Sequence, residues 1–179
     1  MKQTKYIMSG GIAFSEEKDL EKLSNYAKKG WILDRFALFG YKLKKAEPQE
    51  IQYSMDFQPD ADEEYFMYFE EAGWSHACSI GNEIHIFSAS MKAKPIYSDK
   101  VTIIEKYERE KKQMGKAALI TLIISIMFLL FNIMSLYGWL PEYIGNISEI
   151  LLIISIIILV FPGLPYIAYL YRLNKLRKF

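Results

Sequence analysis

The sequence predicts an α+β protein in which a ferredoxin-like β-α-β-β-α-β N-terminal domain is followed by a two-helix transmembrane hairpin. Two uncharged apolar stretches, residues 117–137 and 150–171, occupy the last third of the chain. Each is as long as the roughly 18–20 residues that a helix needs to cross a hydrocarbon core of about 30 Å. Ahead of them, residues 1–90 alternate between strand and helix patterns and contain a short internal repeat.

The first half of the soluble domain contains a strand, a helix and a strand-rich stretch. Residues 5–8 predict the first strand. Ser15 is a good N-cap for the helix that follows, and Gly30 is a good C-terminal cap because glycine adopts positive φ without steric cost. Trp31 opens a strand-rich stretch that continues to Leu43, with an interruption of the apolar pattern near Gly40.

The second half repeats this order. Residues 51–57 alternate strictly between apolar and polar side chains, which predicts a strand with one buried face. Asp60 or Asp62 can cap a second helix, and Gly73 ends that helix. The final strand region begins at Trp74, and a turn at residues 81–82 can divide it in two.

Residues 26–31 and 69–74 correspond to each other, because both combine a helix end, a glycine cap and a tryptophan that starts a strand. Two strand–helix–strand units in series give the ferredoxin-like order. We therefore expect residues 1–90 to form one four-stranded sheet with both helices on one face.

Residues 91–115 predict an amphipathic helical connector, for which Ser98-Asp99 offers an N-cap. Gly115 is the only weak point before the first span and costs about 1 kcal/mol in a helix. The connector can therefore run directly into the first helix of the membrane region, residues 116–171, which a basic tail over residues 172–179 follows.

Basic residues set the expected topology. Lys and Arg lie just before the first span and after the second, whereas residues 138–149 between the spans contain neither. This distribution predicts a multi-pass protein of the cell membrane with both termini cytoplasmic. The single cysteine, Cys78, agrees with a reducing compartment.

Several motifs together resemble a known family. They are the helix end over residues 27–31, the Glu47-Pro48 turn, the strand over residues 53–57 and the helix end over residues 69–74. The chain resembles an uncharacterised family of bacterial, mostly Firmicute, membrane proteins with a domain of unknown function and Gly-Trp helix ends. Its genes are often found beside those of PadR-type transcriptional regulators. The resemblance implies a role in an envelope or stress response and assigns no catalytic residues.

The sequence offers no strong catalytic, cofactor or metal site, so we expect a protein that is not an enzyme. His76, Cys78 and His85 are the only soft metal ligands, with His76 and Cys78 on one strand face. A zinc site usually needs four ligands, or three and a water, so ordinary strand roles are favoured. Acidic pairs such as Glu70-Glu71 are typical of solvated helix faces.

Aromatic residues suggest a binding surface, and a Pro-Gly-Pro motif suggests a hinge. The candidate partner or ligand face consists of Trp31, Tyr41, Tyr53 and Trp74. Stacking of RNA bases on such a sheet is not expected, because the domain lacks a strongly basic charge. The candidate membrane hinge consists of Pro162, Gly163 and Pro165, since proline weakens a helix interior.

The leading functional hypothesis is a membrane-anchored cytoplasmic binding or regulatory module that scaffolds or sequesters a protein partner or forms a homo-oligomer. One alternative is a membrane-coupled sensor of a small molecule or of stress, with its ligand between aromatic sheet faces. Another is an immunity-type protein whose hairpin acts against membrane-active peptides. A weaker alternative is an enzyme acting on a membrane substrate.

Overall fold

A computed structural model describes residues 3–97 and 99–178 of the chain. Within these residues, six strands and two helices are followed by two long helices, and this order confirms the predicted α+β class with two apolar helices at its end. The elements are β1 (Thr4–Met8), α1 (Ile12–Ala27), β2 (Trp31–Ala37), β3 (Gly40–Lys45), β4 (Ile51–Phe57), α2 (Glu63–Glu71), β5 (Ser75–Ile80), β6 (Ile84–Ser90), α3 (Lys100–Leu136) and α4 (Glu142–Lys178).

The internal repeat is a β-α-β-β unit that occurs twice. Each unit forms an antiparallel three-stranded sheet, ordered β1-β3-β2 in the first and β4-β6-β5 in the second. This differs from the predicted four-stranded sheet of a ferredoxin-like domain. The reason is that the strand-rich stretch after Trp31 folds back at Leu38 and Phe39, which adds a strand to the first unit, and that the chain does turn at residues 81–82, which divides the last strand region of the second unit.

The glycine caps of the repeat are confirmed. Gly30 and Gly73 have φ values of 75° and 83°, a conformation that glycine adopts without strain. A Cβ atom at Gly30 would lie 2.7 Å from the backbone oxygen of Ala46, so this position also requires the absence of a side chain. The chain therefore turns in the same way from each helix into the strand that follows.

The helix starts follow the predictions in part. Asp62 caps α2 as predicted, with its carboxylate accepting a hydrogen bond of 2.9 Å from the Tyr65 backbone N–H. Ser15 does not cap α1, because the helix already begins at Ile12 and Ser15 is a non-helical residue at a kink inside it. In the connector, Asp99 accepts a hydrogen bond of 2.9 Å from the Thr102 backbone N–H, whereas Ser98 lies outside the described residues.

Two hydrophobic cores lie on opposite faces of the second sheet. Neighbouring residues of β6 separate them, because Ile86 faces the first core and Phe87 faces the second. The first core is shared by α1 and both sheets, whereas α2 covers the second core. The two helices therefore do not lie on one face of one sheet, as the ferredoxin-like prediction required.

Buried polar contacts tie the start of α3 into the soluble domain. The Lys106 ammonium forms an ion pair with the Glu16 carboxylate and donates a hydrogen bond of 2.6 Å to the Met55 carbonyl oxygen. Both charged side chains are almost completely buried. The Asp56 carboxylate, also buried, accepts hydrogen bonds from the hydroxyls of Tyr65 and Tyr97.

The chain forms two compact units, residues 1–106 and residues 107–179, and the boundary falls inside α3. The connector and the first apolar stretch are one continuous helix of 37 residues. At 1.5 Å per residue, α3 and α4 are each about 55 Å long, which exceeds a hydrocarbon core of about 30 Å. Both are long and apolar enough to cross a membrane, with mean hydropathies of 2.5 and 2.7 over 18 residues.

Within the second unit, α3 and α4 pack as an antiparallel pair. The Ser125 hydroxyl donates a hydrogen bond of 2.9 Å to the Ser155 hydroxyl. The Asn132 amide donates one of 3.4 Å to the Gly145 carbonyl oxygen. Near the basic tail, Arg172 donates a hydrogen bond of 2.7 Å to the Tyr107 hydroxyl, so the two basic segments lie at the same end of the pair.

Candidate functional site

The four aromatic residues proposed as a binding face serve mainly to pack the cores. Tyr41 and Tyr53 belong to the first core and are 1% and 8% exposed. Burial raises the pKa of both phenols, and the nearby Asp19 carboxylate raises that of Tyr41 further. The Tyr53 hydroxyl also accepts a hydrogen bond of 3.2 Å from the Leu33 backbone N–H, which fixes its orientation.

Trp74 and Trp31 lie apart from each other. Trp74 is 2% exposed in the second core, and its indole N–H donates a hydrogen bond of 3.0 Å to the Lys94 carbonyl oxygen. Trp31 packs against the edge of the first core, with the Lys45 ammonium 5.0 Å from its ring centre. The four side chains therefore do not form one exposed face, because large apolar rings stabilise the fold most when they are buried.

The predicted hinge lies inside an uninterrupted helix. Pro162, Gly163 and Pro165 all fall within α4, which continues to Lys178. A Cβ atom at Gly163 would meet no neighbouring atom within 4 Å, so close packing does not require a glycine there. The two prolines remove backbone donors from the helix, and this weakens it locally without ending it.

A β-bulge separates the three soft metal ligands that the sequence offers. The register of β5 shifts between His76 and Cys78, so these residues do not share a strand face as predicted. Cys78 points into the first core, and burial raises the pKa of its thiol to about 12. Among residues 3–97 and 99–178, no group of three or more His, Cys, Asp or Glu side chains is arranged to hold a metal ion.

The bulge instead places Ser79 between two imidazoles. The Nε2 atom of His85 lies 3.1 Å from the Gln58 carbonyl oxygen, which only accepts, so Nε2 is the hydrogen-bond donor. Its Nδ1 then accepts from the Ser79 hydroxyl at 2.7 Å. Ser79 Oγ in turn accepts from His76 Nε2 at 2.7 Å, which gives an ordered chain from the buried His85 to the surface.

The hydrogen-bond chain from His85 through Ser79 to His76 has a structural explanation, and it also resembles a catalytic serine–histidine pair weakly. A serine beside a histidine base is the arrangement that activates a serine nucleophile. Here His76 donates to the same oxygen, and a donated hydrogen bond reduces its nucleophilic character. Desolvation and the neighbouring His85 lower the pKa of His76. The arrangement therefore satisfies the polar atoms of a buried histidine more clearly than it prepares a reaction.

A charged surface on the second repeat is more distinctive than any of these residues. Residues 51–90 contain eight Asp and Glu residues and no Lys or Arg. Of the eight, only Asp56 is buried, and four of the exposed carboxylates lie on α2. Two large apolar side chains, Met67 and Tyr68, are exposed among them at 56% and 64%. We refer to Met67, Tyr68 and the four exposed α2 carboxylates as the acidic α2 surface; these carboxylates belong to Glu63, Glu64, Glu70 and Glu71.

The acidic α2 surface was missed because its acidic pairs were interpreted one at a time as solvated helix positions. The signal that identifies it is the absence of basic residues over residues 51–90, since ordinary surfaces mix both signs of charge. An exposed methionine and tyrosine within a field of one sign are typical of an interaction surface.

Comparisons with known proteins give the family and no activity. A family model described as "Protein of unknown function (DUF2812)" matches residues 15–119, more than half of the chain. The match extends from α1 through all the later strands and into the first half of α3. No curated protein and no solved structure is found to match this chain. The chain therefore belongs to the DUF2812 family, whose function is unknown.

Proposed function

We propose that this protein is a membrane-anchored cytoplasmic module that binds a basic protein partner and holds it at the membrane. Scaffolding or sequestration of this partner would be its regulatory mechanism. The observation that carries the proposal is the acidic α2 surface, where exposed Met67 and Tyr68 lie among carboxylates in a repeat without Lys or Arg. Apolar contacts would supply affinity, and opposite charge would select the partner and speed its association.

The surface is well prepared for binding because α2 is firmly held. Asp62 caps its first turn, and Tyr65, Phe66 and Phe69 pack its inner side against the second core. The rings of Phe69 and Phe87 stack with centroids 4.0 Å apart. A helix fixed in this way loses little conformational entropy when a partner binds its outer side.

The cytoplasmic placement rests on the distribution of basic residues around the helix pair. The N-terminal half of α3 and the C-terminal end of α4 carry Lys and Arg, whereas residues 137–149 carry none. Basic segments are retained on the cytoplasmic side of membranes. With α3 and α4 as spans, this distribution supports a topology in which both termini and the soluble domain are cytoplasmic.

The family resemblance suggests what kind of partner this is. Genes of similar Firmicute proteins are often neighbours of genes for PadR-type transcriptional regulators. A regulator that binds DNA carries a basic surface, because DNA binding requires neutralisation of phosphates. The acidic α2 surface would compete with DNA for that basic surface, which would connect an envelope or stress signal to transcription.

Photocrosslinking in cells tests the proposal with the full-length protein. A photoreactive amino acid at Tyr68 should capture one protein with a positive net charge at comparable abundance. The double substitution Glu70→Lys and Glu71→Lys should reduce this capture at least about tenfold, because it reverses two charges beside the probe. The matched control is Glu83→Lys, which reverses an exposed charge in the β5–β6 turn rather than on α2.

Two outcomes would contradict the proposal. One is capture of no discrete protein at Tyr68. The other is capture that persists unchanged in the Glu70→Lys and Glu71→Lys variant, since the acidic charge would then have no role in recognition.

A further inference from the structure

The turn between β2 and β3 exposes two large apolar residues without a structural reason. Leu38 and Phe39 connect β2 and β3 as a two-residue turn and are 81% and 69% exposed. Two-residue turns usually place glycine, asparagine or aspartate wherever their backbone has positive φ. Phe39 nevertheless has a φ of 55°, a conformation that is costly for a bulky side chain and is most often retained at functional sites.

The turn is held rigidly in place. The Tyr6 hydroxyl donates a hydrogen bond of 3.0 Å to the Leu38 carbonyl oxygen, and the Ser9 backbone N–H donates one of 3.0 Å to the Phe39 carbonyl oxygen. Met8, the last residue of β1, is also exposed. We refer to Met8, Leu38 and Phe39 as the apolar tip.

Basic side chains lie immediately behind the apolar tip. The strand register aligns Tyr6, Lys42 and Arg35 in one row across β1, β3 and β2. The Lys22 ammonium donates a hydrogen bond of 2.9 Å to the Met8 carbonyl oxygen. The three strands carry five basic residues and a single acidic one, Asp34. Its ion pairs with Arg35 and Lys44, at 3.8 Å and 3.9 Å, are partly exposed and therefore weak competitors for another anion.

The second repeat provides an internal comparison. Its equivalent turn between β5 and β6 consists of Gly81, Asn82 and Glu83, which are polar or lack a side chain. The fold therefore does not require apolar residues at this turn. The shared fold therefore does not explain why the first turn is apolar and the second is polar.

We propose that the apolar tip inserts into an anionic lipid surface, with Lys22, Arg35 and Lys42 contacting the phosphate headgroups. A convex tip of apolar side chains with a basic border is the chemistry of interfacial membrane binding. The negative charge of the lipids complements the positive charge of Lys22, Arg35 and Lys42. Because the domain and the apolar helices are one polypeptide, the local concentration of lipid is high and weak docking is sufficient.

This inference needs the cytoplasmic membrane surface but not the protein partner. Lipid contact through the first repeat would leave the acidic α2 surface available, since anionic headgroups repel its carboxylates. Loss of lipid docking and loss of partner capture are therefore separate results.

The test uses the full chain in nanodiscs and a fluorophore sensitive to polarity. Leu38→Cys is labelled, and the buried Cys78 thiol is not expected to react. In nanodiscs of phosphatidylcholine with phosphatidylglycerol, emission should shift to the blue and be quenched by brominated lipids. The shift should be absent in phosphatidylcholine alone. Lys42→Ala should lower the ratio of lipid-docked to undocked soluble domain about fivefold, as expected for removal of one basic residue at an anionic surface.

The matched control carries the same label at Glu83→Cys in the equivalent turn of the second repeat. There the emission of the label should remain the same as in water. The proposal is overturned if the label at residue 38 remains in water in anionic nanodiscs. It is also overturned if neutral lipid gives an equal shift. If the label is protected only in native membranes and not in anionic nanodiscs, the occupant is a protein and not lipid.

Discussion

At the scale of single residues, Phe39 combines an unfavourable backbone conformation with an aromatic ring that is not buried. Its backbone has positive φ, and its ring is largely exposed to solvent. Positive φ costs a side chain about 1–2 kcal/mol, whereas glycine at the same position costs about 0.5–1 kcal/mol of chain entropy. An evolved sequence would place glycine here if stability alone mattered.

We therefore predict that Phe39→Gly stabilises the soluble domain by about 0.5–1 kcal/mol while it weakens lipid docking. Stability is measured by urea unfolding of the full chain in detergent, followed by tryptophan fluorescence. Phe39→Ala is the matched control, because it removes the ring and keeps the strained backbone. Equal stability of the glycine and alanine variants would show that the backbone at residue 39 is not strained.

At the scale of elements, the sequence predicts the type of each segment, helix or strand, more successfully than it predicts which strands pair with each other. The Gly30-Trp31 and Gly73-Trp74 signals and the Asp62 cap are local, and the structure confirms them. The sequence marks the β2–β3 turn only by an interruption of the apolar pattern near Gly40, because Leu38-Phe39 contains none of the residues that are typical of turns. Sheet order was missed because alternation of side chains shows which face is buried and not which strand lies beside it.

The candidate site was predictable only in part for a related reason. The β5 bulge that separates His76 from Cys78 leaves no mark in the residue types. Tyr41 and Tyr53 have the same aromatic character in a core as on a surface, so their type alone does not distinguish the two locations. The charge of residues 51–90, by contrast, can be read directly from the sequence without knowledge of the fold.

The β5 bulge leads to a prediction about pH. Desolvation and His85 lower the pKa of His76 in the folded protein, relative to about 6.5 in the unfolded chain. The unfolded chain therefore binds more protons as the solution is acidified. The contribution of His76 to stability is present above about pH 6.5 and is lost as pH falls through its lower folded pKa.

We expect the melting temperature of the full chain in detergent to fall between about pH 7 and pH 5, and His76→Gln to reduce that fall. An exposed substitution on the acidic α2 surface, Glu64→Gln, serves as a control for general charge effects. An unchanged pH dependence in His76→Gln would mean that other groups cause the loss of stability.

At the scale of the whole molecule, the two repeats share a fold and differ in charge. The first sheet is basic, with an apolar tip, whereas the second repeat has no basic residue between residues 51 and 90. Duplicated units with opposite charge would allow one domain to contact lipid and a basic protein at the same time. Both contacts require the soluble domain to lie in the cytoplasm.

We predict that residue 142, at the start of α4, lies outside the cell and residue 178, at the end of α4, lies inside. In intact cells, a membrane-impermeant maleimide should label Glu142→Cys, whereas Lys178→Cys should react only after lysis. The reason is that Lys and Arg precede the first apolar stretch and follow the second, and are absent from the loop between them. The parent chain is the control, because Cys78 is buried and the pKa of its thiol is raised to about 12. Labelling of Lys178→Cys on intact cells would invert the topology, place the soluble domain outside and exclude a cytoplasmic regulator as its partner.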